Sequence, residues 1–322
     1  MLEKQNVRRV FIILSSSSLP YAEKCIDSLF TNSLESLNVF LITDDTEDKE
    51  KIIASVEKIN NPNNHQWQVY DVFEADERAE IKFKQYSNLL IFRKGHPCWR
   101  KLTDPLLFSE TGEEMIILDP DLYFPNRFKF EQTPKDKLHL MWQPPSCLLP
   151  PETVLAAFNA PVKLAHHVDI GVAQIREPID LEWFDWLIGK LGGKEIPRLM
   201  HVEAIVWSAF AMKMGGGYLN PKHWKCWYRS HWKRVLIKTG MSGTKMLSME
   251  NLNSVKCFHA CGMSKWWVKE AVEQKLLQKE KLVTTTLPTI PFTEFTLKRY
   301  KLEQNIKDFL WKIGYYSLIN PD

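Results

Sequence analysis

Apolar residues along the first 120 positions come in short, dense runs, separated by polar stretches of helical period. Residues 7–14 form such a run, rich in β-branched and aromatic side chains and followed by four serines, the pattern of a buried strand entering a loop. Pro20 then opens a segment with Ala22, Cys25, Ile26 and Leu29 at helical spacing, which predicts a helix with proline in its first turn. A second buried strand is predicted at 37–42, closed by Asp44 and Asp45, and the alternation over 67–73 predicts a third. Helices are expected at 80–94 and 98–108. Residues 115–118 are wholly apolar and run into Asp119, a fourth strand. Strands alternating with helices predict the α/β class with a mostly parallel, Rossmann-like sheet. Ligands of such sheets bind beyond the carboxyl ends of the strands, so chemistry is expected just after Leu14, Ile42 and Leu118. Further on, 168–175 and 254–258 predict strands, and 181–191 and 201–212 helices. A charged helix at 271–281, an irregular Thr/Pro segment at 282–292 and a basic amphipathic helix at 295–316 complete the pattern. It divides the chain into a main domain, 1–270, and a C-terminal helical extension, 271–322.

Composition adds two things. With 44% hydrophobic and 25% charged residues the chain has ordinary globular values, which exclude wholesale disorder. The net charge of +3 hides a split: residues 211–322 carry 19 basic and 8 acidic side chains, while 1–210 carry 23 basic and 31 acidic. The C-terminal third is thus expected to face something anionic. Near the start, the longest uninterrupted apolar run is the five residues 10–14, too short for a signal peptide or a membrane span. The six scattered cysteines read as reduced thiols, and the expected location is the cytoplasm. Cys257 and Cys261 flank His259, but without a second ligand pair they make a poor zinc signal.

Two motifs carry candidate chemistry. Asp119-Pro120-Asp121 follows the fourth strand, and two carboxylates at i and i+2 can hold a hard divalent cation with positions left open for phosphate oxygens. A solvated turn is the plainer alternative for these residues taken alone. The second motif is Cys257-Phe258-His259-Ala260-Cys261-Gly262-Met263-Ser264-Lys265-Trp266-Trp267. His259 at a strand end offers a nitrogen ligand, Gly262 permits a tight turn whose amides approach a phosphate, and Lys265 adds a positive charge.

Together these motifs resemble glycosyltransferase family 8, in which a DxD after a buried strand is followed by His-x-x-Gly-x-x-Lys-Pro-Trp. The resemblance covers roughly residues 7–267 and implies a GT-A fold, a UDP-sugar donor, Mn²⁺ or Mg²⁺, and retention of anomeric configuration. It implies metal ligation by Asp119, Asp121 and His259. Ser15 and Tyr21 fall where the family binds uracil, Lys101 where it reaches the donor, and Asp119, Gly262 and Lys265 where it meets the nucleotide sugar. Asp169 stands in the place of Phe-Asn-Ser-Gly-Val and Glu203 near the place of Asp-Gln. With Lys265 they are the catalytic candidates. Trp266 departs from the motif's proline, Asp169-Ile170 from Asn-Ser, and Glu203 from the aspartate. Metal and basic side chains at these positions would stabilise charge on a leaving diphosphate. Retention would need either a carboxylate nucleophile, Asp169 or Glu203, or front-face attack, and the sequence leaves both open.

Two basic, aromatic segments remain. Residues 221–234 interleave Trp224, Trp227 and Trp232 with five Lys and Arg residues. Such a segment suits a sugar- or phosphate-bearing acceptor, a packed loop or, less well, single-stranded nucleic acid. The helix at 295–316 suits either packing on the main domain or peripheral contact with an anionic membrane. The resulting expectation is a cytoplasmic hexosyltransferase, free or peripheral at the inner membrane face, acting on a glycan or glycolipid acceptor, with no nucleic-acid partner. A non-catalytic nucleotide-sugar-binding protein, a nucleotidyltransferase of the same fold and a nucleic-acid-binding module are the alternatives.

Overall fold

The computed structural model describes residues 7–43, 45–144, 147–176 and 178–319, so Asp44, expected to close the second strand, lies outside the described residues. The chain begins with β1 (Arg8–Ile13), α1 (Leu19–Asn32), β2 (Leu37–Ile42), α2 (Asp48–Val56) and β3 (Gln66–Tyr70). It continues with α3 (Val72–Lys82), α4 (Ser87–Arg93), α5 (Arg100–Leu107) and β4 (Glu114–Leu118). The strands β3, β2, β1 and β4 lie side by side and parallel, as the alternation of strands and helices predicted. Val10 and Ile12 of β1 enter one core cluster and Phe11 and Ile13 the other, because alternate residues of a strand face opposite sides of the sheet.

Two expectations change in this half. The third strand stops at Tyr70 instead of Phe73, because the Asp71 carboxylate accepts from the Glu74 amide while the Glu74 carboxylate accepts from the Asp71 amide. That reciprocal cap starts a helix at Val72. The single helix expected at 80–94 is two, α3 and α4, separated by residues 83–86.

After β4 come β5 (Leu122–Tyr123), β6 (Arg127–Phe128), β7 (Leu138–Trp142), α6 (Pro151–Asn159), β8 (Leu164–Ala165) and β9 (Val168–Arg176). They are followed by α7 (Leu181–Leu191), α8 (Val202–Met214), β10 (Gly216–Tyr218), β11 (Trp224–Cys226), α9 (His231–Lys238), α10 (Gly243–Ser248) and β12 (Cys257–His259). The sheet continues from β4 in the order β9, β7, β11, β12, β5. β9 is antiparallel to both of its neighbours, so its first residues lie beside the end of β4, and the Asp119 amide donates to the Gly171 carbonyl at 2.9 Å. β5 is antiparallel to β12 and pairs Leu122 with His259. The turn Asp119-Pro120-Asp121 is therefore clamped between the start of β9 and the end of β12.

The segment 221–234 is only partly a loop. Trp224 lies on β11, fully buried, and its Nε1 donates to Glu131 Oε1 at 3.1 Å. The same oxygen accepts from the fully buried Lys256 at 2.7 Å. Trp227 is also buried, and of the segment's three tryptophans only Trp232, 66% exposed, reaches solvent freely. Two of the three are thus core residues, Trp224 because β11 runs inside the sheet between β7 and β12 and Trp227 because it packs with Tyr123, Leu247 and Phe258 in a separate cluster.

The last part holds α11 (Lys265–Glu273), β13 (Leu282–Val283), β14 (Glu294–Phe295), α12 (Leu297–Lys312) and α13 (Tyr315–Ile319). The helix expected at 271–281 is displaced to α11. The Thr/Pro segment and its flank add short strands that pair with β6 and β8. Along α12 only Tyr300 is buried, whereas Leu302, Ile306, Phe309 and Trp311 are exposed. Among the described residues, no helix is long and apolar enough to cross a membrane.

Candidate functional site

A cavity of about 460 Å³ opens at the carboxyl ends of β1 and β4 and is lined by all ten residues singled out from the sequence. Ser15 and Tyr21 enter from the turn after β1 and the start of α1, and Lys101 from α5. Asp119 and Asp121 come from the clamped turn, Asp169 from β9, and Glu203 from α8. His259, Gly262 and Lys265 come from the end of β12 and the turn into α11.

Asp119, Asp121 and His259 offer two carboxylate oxygens and a ring nitrogen, all within 4.8 Å of one another. His259 Nε2 lies 3.2 Å from Asp121 Oδ1 and 3.8 Å from Asp119 Oδ2. On its other side the ring meets Asp169, with Nδ1 2.9 and 3.0 Å from the two carboxylate oxygens. With Nδ1–H donated to Asp169, Nε2 is the nitrogen that would meet a cation beside the two aspartates; without one, burial opposes the ring's charge but Asp169 and Asp121 hold it well above the usual histidine range. Asp121 Oδ1 is buried without a hydrogen-bond donor, an orphan atom that a cation would satisfy. Oxygen, oxygen and imidazole nitrogen form a donor set that suits a first-row divalent cation, and the residues fit that group.

Lys101 is committed within the site. Its Nζ donates to Asp119 Oδ1 at 2.5 Å and lies 2.9 Å from Glu203 Oε1. Helix α5 is buried along its whole length, and Asp104 holds it by accepting from Arg93 Nε at 2.7 Å and Arg100 Nε at 2.9 Å. Helix α8 is buried over ten consecutive residues from Val202 to Ala211, so the Glu203 carboxyl is carried into the interior. Burial pushes Glu203 up to about 8 against the pull of Lys101, with Asp119 adding to the rise. Burial opposes the Lys101 charge, yet Asp119 and Glu203 hold it well above the usual lysine range. One ammonium serves two buried carboxylates, and the carboxylates bear the cost. Asp169 behaves in the opposite way, since burial would raise it but His259 beside it holds it low.

At the cavity mouth, Lys265 Nζ lies 4.9 Å from the Tyr21 ring centroid and 5.6 Å from that of Trp266. The two rings meet edge to face at 5.2 Å. Gly262 has φ +64, a conformation open chiefly to glycine. Gly171 is needed for a different reason, as a Cβ there would stand 2.5 Å from His259 Nδ1.

Sequence reasoning missed the lining residues Gln143 and Cys147 and gave no role in the cavity to Cys261, which it had weighed only as a zinc ligand. Gln143 follows β7, and its Nε2 donates to the Val168 carbonyl at 2.8 Å, bracing the start of β9. The strand-end rule that found Asp119 would have found Gln143 had residues 138–142 been read as a strand.

No protein-family model matches the sequence, and no curated protein is similar to it at a significant level. Solved structures align with it at low identity. Mouse xyloside xylosyltransferase 1 shares 10% identity over 79% of this chain and 96% of its own, with a TM-score of 0.46. The galactosyltransferase LgtC, solved with donor and acceptor sugar analogues, shares 10% over 83% and 95%, with a TM-score of 0.49. Core-mannan synthase A from Aspergillus fumigatus, in a Mn/GDP form, shares 12% over 66% and 71%, with a TM-score of 0.39. With TM-scores below 0.5, none of the three decides the chemistry of this chain, which rests on its own residues.

Proposed function

We propose that this protein is a metal-dependent retaining glycosyltransferase of GT-A fold, similar to family 8, that moves a hexose from a UDP-sugar to a glycan or glycolipid acceptor. The observation that carries the reading is the convergence, in one cavity, of an Asp/Asp/His cation site with a tyrosine-bearing serine loop and a Gly/Lys turn. Asp119, Asp121 and His259 would hold Mn²⁺ or Mg²⁺, which when bound supplies Lewis-acid stabilisation of the leaving diphosphate. Tyr21 presents a ring to the base, and Ser15 presents its hydroxyl beside it. Lys265, held over two aromatic rings, is placed to swing onto the diphosphate, with Gly262 letting backbone amides approach.

Asp169 acts in this scheme on the protein side, fixing the tautomer and orientation of His259. Glu203 is bonded through Oε1 to Lys101 at 2.9 Å, and burial raises it to about 8 in the chain without a cation, so its other oxygen is suited to bond a sugar hydroxyl. Neither carboxylate is then both ionised and unengaged. That combination favours front-face attack assisted by the leaving phosphate over a carboxylate nucleophile. The main domain, 1–270, would carry the chemistry, and the extension, 271–322, would present the basic, apolar surface of α12 to an anionic membrane at the cytoplasmic face.

The test is a thermal-shift series with UDP, GDP and their sugars, with and without Mn²⁺, on the wild type and on Asp121→Ala. A native-state ligand at 100 times its Kd adds about 2.7 kcal/mol, so UDP with Mn²⁺ should raise Tm clearly in the wild type alone. Equal shifts in the folded variant would refute the cation site. UDP binding with no release of sugar from any UDP-sugar would turn the reading to a non-catalytic binding protein.

A further inference from the structure

All six cysteines are free, and two of them meet beside the site. Cys226 Sγ lies 3.8 Å from Cys261 Sγ. The strand period explains the encounter. Cys226 ends β11 in parallel register with His259 on β12, and Cys261 follows His259 by two residues. Registered residues on neighbouring strands share a face, as do residues two apart, so Cys226, His259 and Cys261 fall on the same side. Cys261 lines the cavity and is reachable from solvent. The Cys226 sulfur, an Asp169 carboxylate oxygen and a His259 ring nitrogen lie within 4.8 Å of one another. Cys25 and Cys257, by contrast, are fully buried.

We propose that Cys226 and Cys261 form an oxidation site, closed to a disulfide by a peroxide and reopened by a thiol, and that closure shuts the donor cavity. The bond is independent of the function proposed above, whereas its consequence for donor binding rests on that function. In the first step the Cys261 sulfur attacks one peroxide oxygen. The S–O bond forms as the O–O bond breaks, and the departing hydroxide leaves as water with the thiol proton. The Cys226 sulfur then attacks the Cys261 sulfenic acid, and the S–O bond breaks to release a second water with the Cys226 proton. Two thiols lose two electrons in all, and hydrogen peroxide is reduced to two waters.

Closure reaches the cavity through the backbone. The sulfurs must approach from 3.8 Å to about 2.05 Å, which draws Cys261 toward β11. Gly262 follows directly in the chain and Lys265 three residues later. The same closure takes the Cys226 thiol away from Asp169, the residue that fixes His259. Losing one charge-assisted hydrogen bond to the diphosphate from the Gly262–Lys265 turn costs about tenfold or more in affinity.

The experiment uses the full chain, reduced and then treated with hydrogen peroxide, alkylated, digested and searched by mass spectrometry for a peptide linking Cys226 to Cys261. Parallel samples are titrated with UDP in the presence of Mn²⁺. The expected result is the linked peptide together with about a tenfold or greater loss of UDP affinity, both reversed by dithiothreitol. Neither Cys226→Ser nor Cys261→Ser should give the link, and Cys261→Ser, which lacks the thiol that meets peroxide first, should bind UDP equally with and without peroxide. Absence of the link at peroxide levels that oxidise the exposed Met249 and Met263 overturns the proposal, as does a link that leaves UDP affinity unchanged. A reduced protein that ignores UDP while still forming the link would count against the donor site and for the thiol pair.

Discussion

The Glu203 carboxyl makes the stability of the metal-free protein depend on pH in a calculable way. Burial raises it from the ordinary 4.5 to about 8 in the folded chain, despite Lys101. Between those values the folded protein holds a proton that the unfolded chain has released. The stabilisation from this group is therefore complete below about 4.5 and is lost as pH rises through about 8. One extra bound proton corresponds to about 1.4 kcal/mol per pH unit, so from pH 5.5 to 7.5 the group removes about 2–3 kcal/mol. Glu203→Gln keeps the size of the side chain and an oxygen for Lys101 but cannot titrate. The assay is urea denaturation of both proteins in EDTA at pH 5.5, 6.5 and 7.5. Burial lowers His139, His166 and His223, which pulls stability the other way as pH falls. Subtracting one curve from the other removes those terms. The wild type should lose about 2–3 kcal/mol more than Glu203→Gln across the range. Curves parallel to within about 0.5 kcal/mol would refute the idea that this carboxyl is protonated in the fold.

Three other outcomes follow from the same geometry. Gly171→Ala would press a Cβ against His259 Nδ1, costing about 1–3 kcal/mol by overpacking and abolishing the Mn²⁺-dependent Tm shift; a normal Mn²⁺ titration in this variant would show that the ring is not held as described. Lys256→Met strands the buried Glu131 carboxylate, which has a 2.7 Å bond from that lysine, and should lower urea-measured stability by about 3–5 kcal/mol. A loss below about 1 kcal/mol would mean that Glu131 is satisfied without it. For α12, phosphatidylserine vesicles should pull down the wild type, and replacing the exposed Phe309 and Trp311 with serine should abolish the pull-down at unchanged Tm. Equal recovery of both proteins would remove the membrane contact.

Local pattern carried a good deal of this molecule. The runs at 7–14, 37–42 and 115–118 became β1, β2 and β4 because a short apolar run rich in β-branched residues has few other ways to be buried. The helix at 181–191 was legible for a similar reason, its Asp180 side chain accepting from the Trp183 amide. The cap at Asp71 was equally legible, as Asp-x-x-Glu, yet the alternation across 67–73 masked it. The two-residue and three-residue strands, β5 and β11 among them, have no period to read. Trp224 therefore read only as one of three aromatics in a basic segment, ligand-facing or packed, although it lies on a strand that neighbours on both sides bury.

By itself, the sequence named donors that line one cavity and put Asp119 at a strand end, because strand ends and ligand types are properties of a few consecutive residues. Only the tertiary structure decided which of them face one another. The antiparallel β9 sets Asp169 against His259 across 90 positions, and two buried helices set Lys101 against Glu203. Those encounters determine whether each carboxyl is charged, because a pKa follows burial and the distance to the next charge. Neither quantity is contained in local spacing.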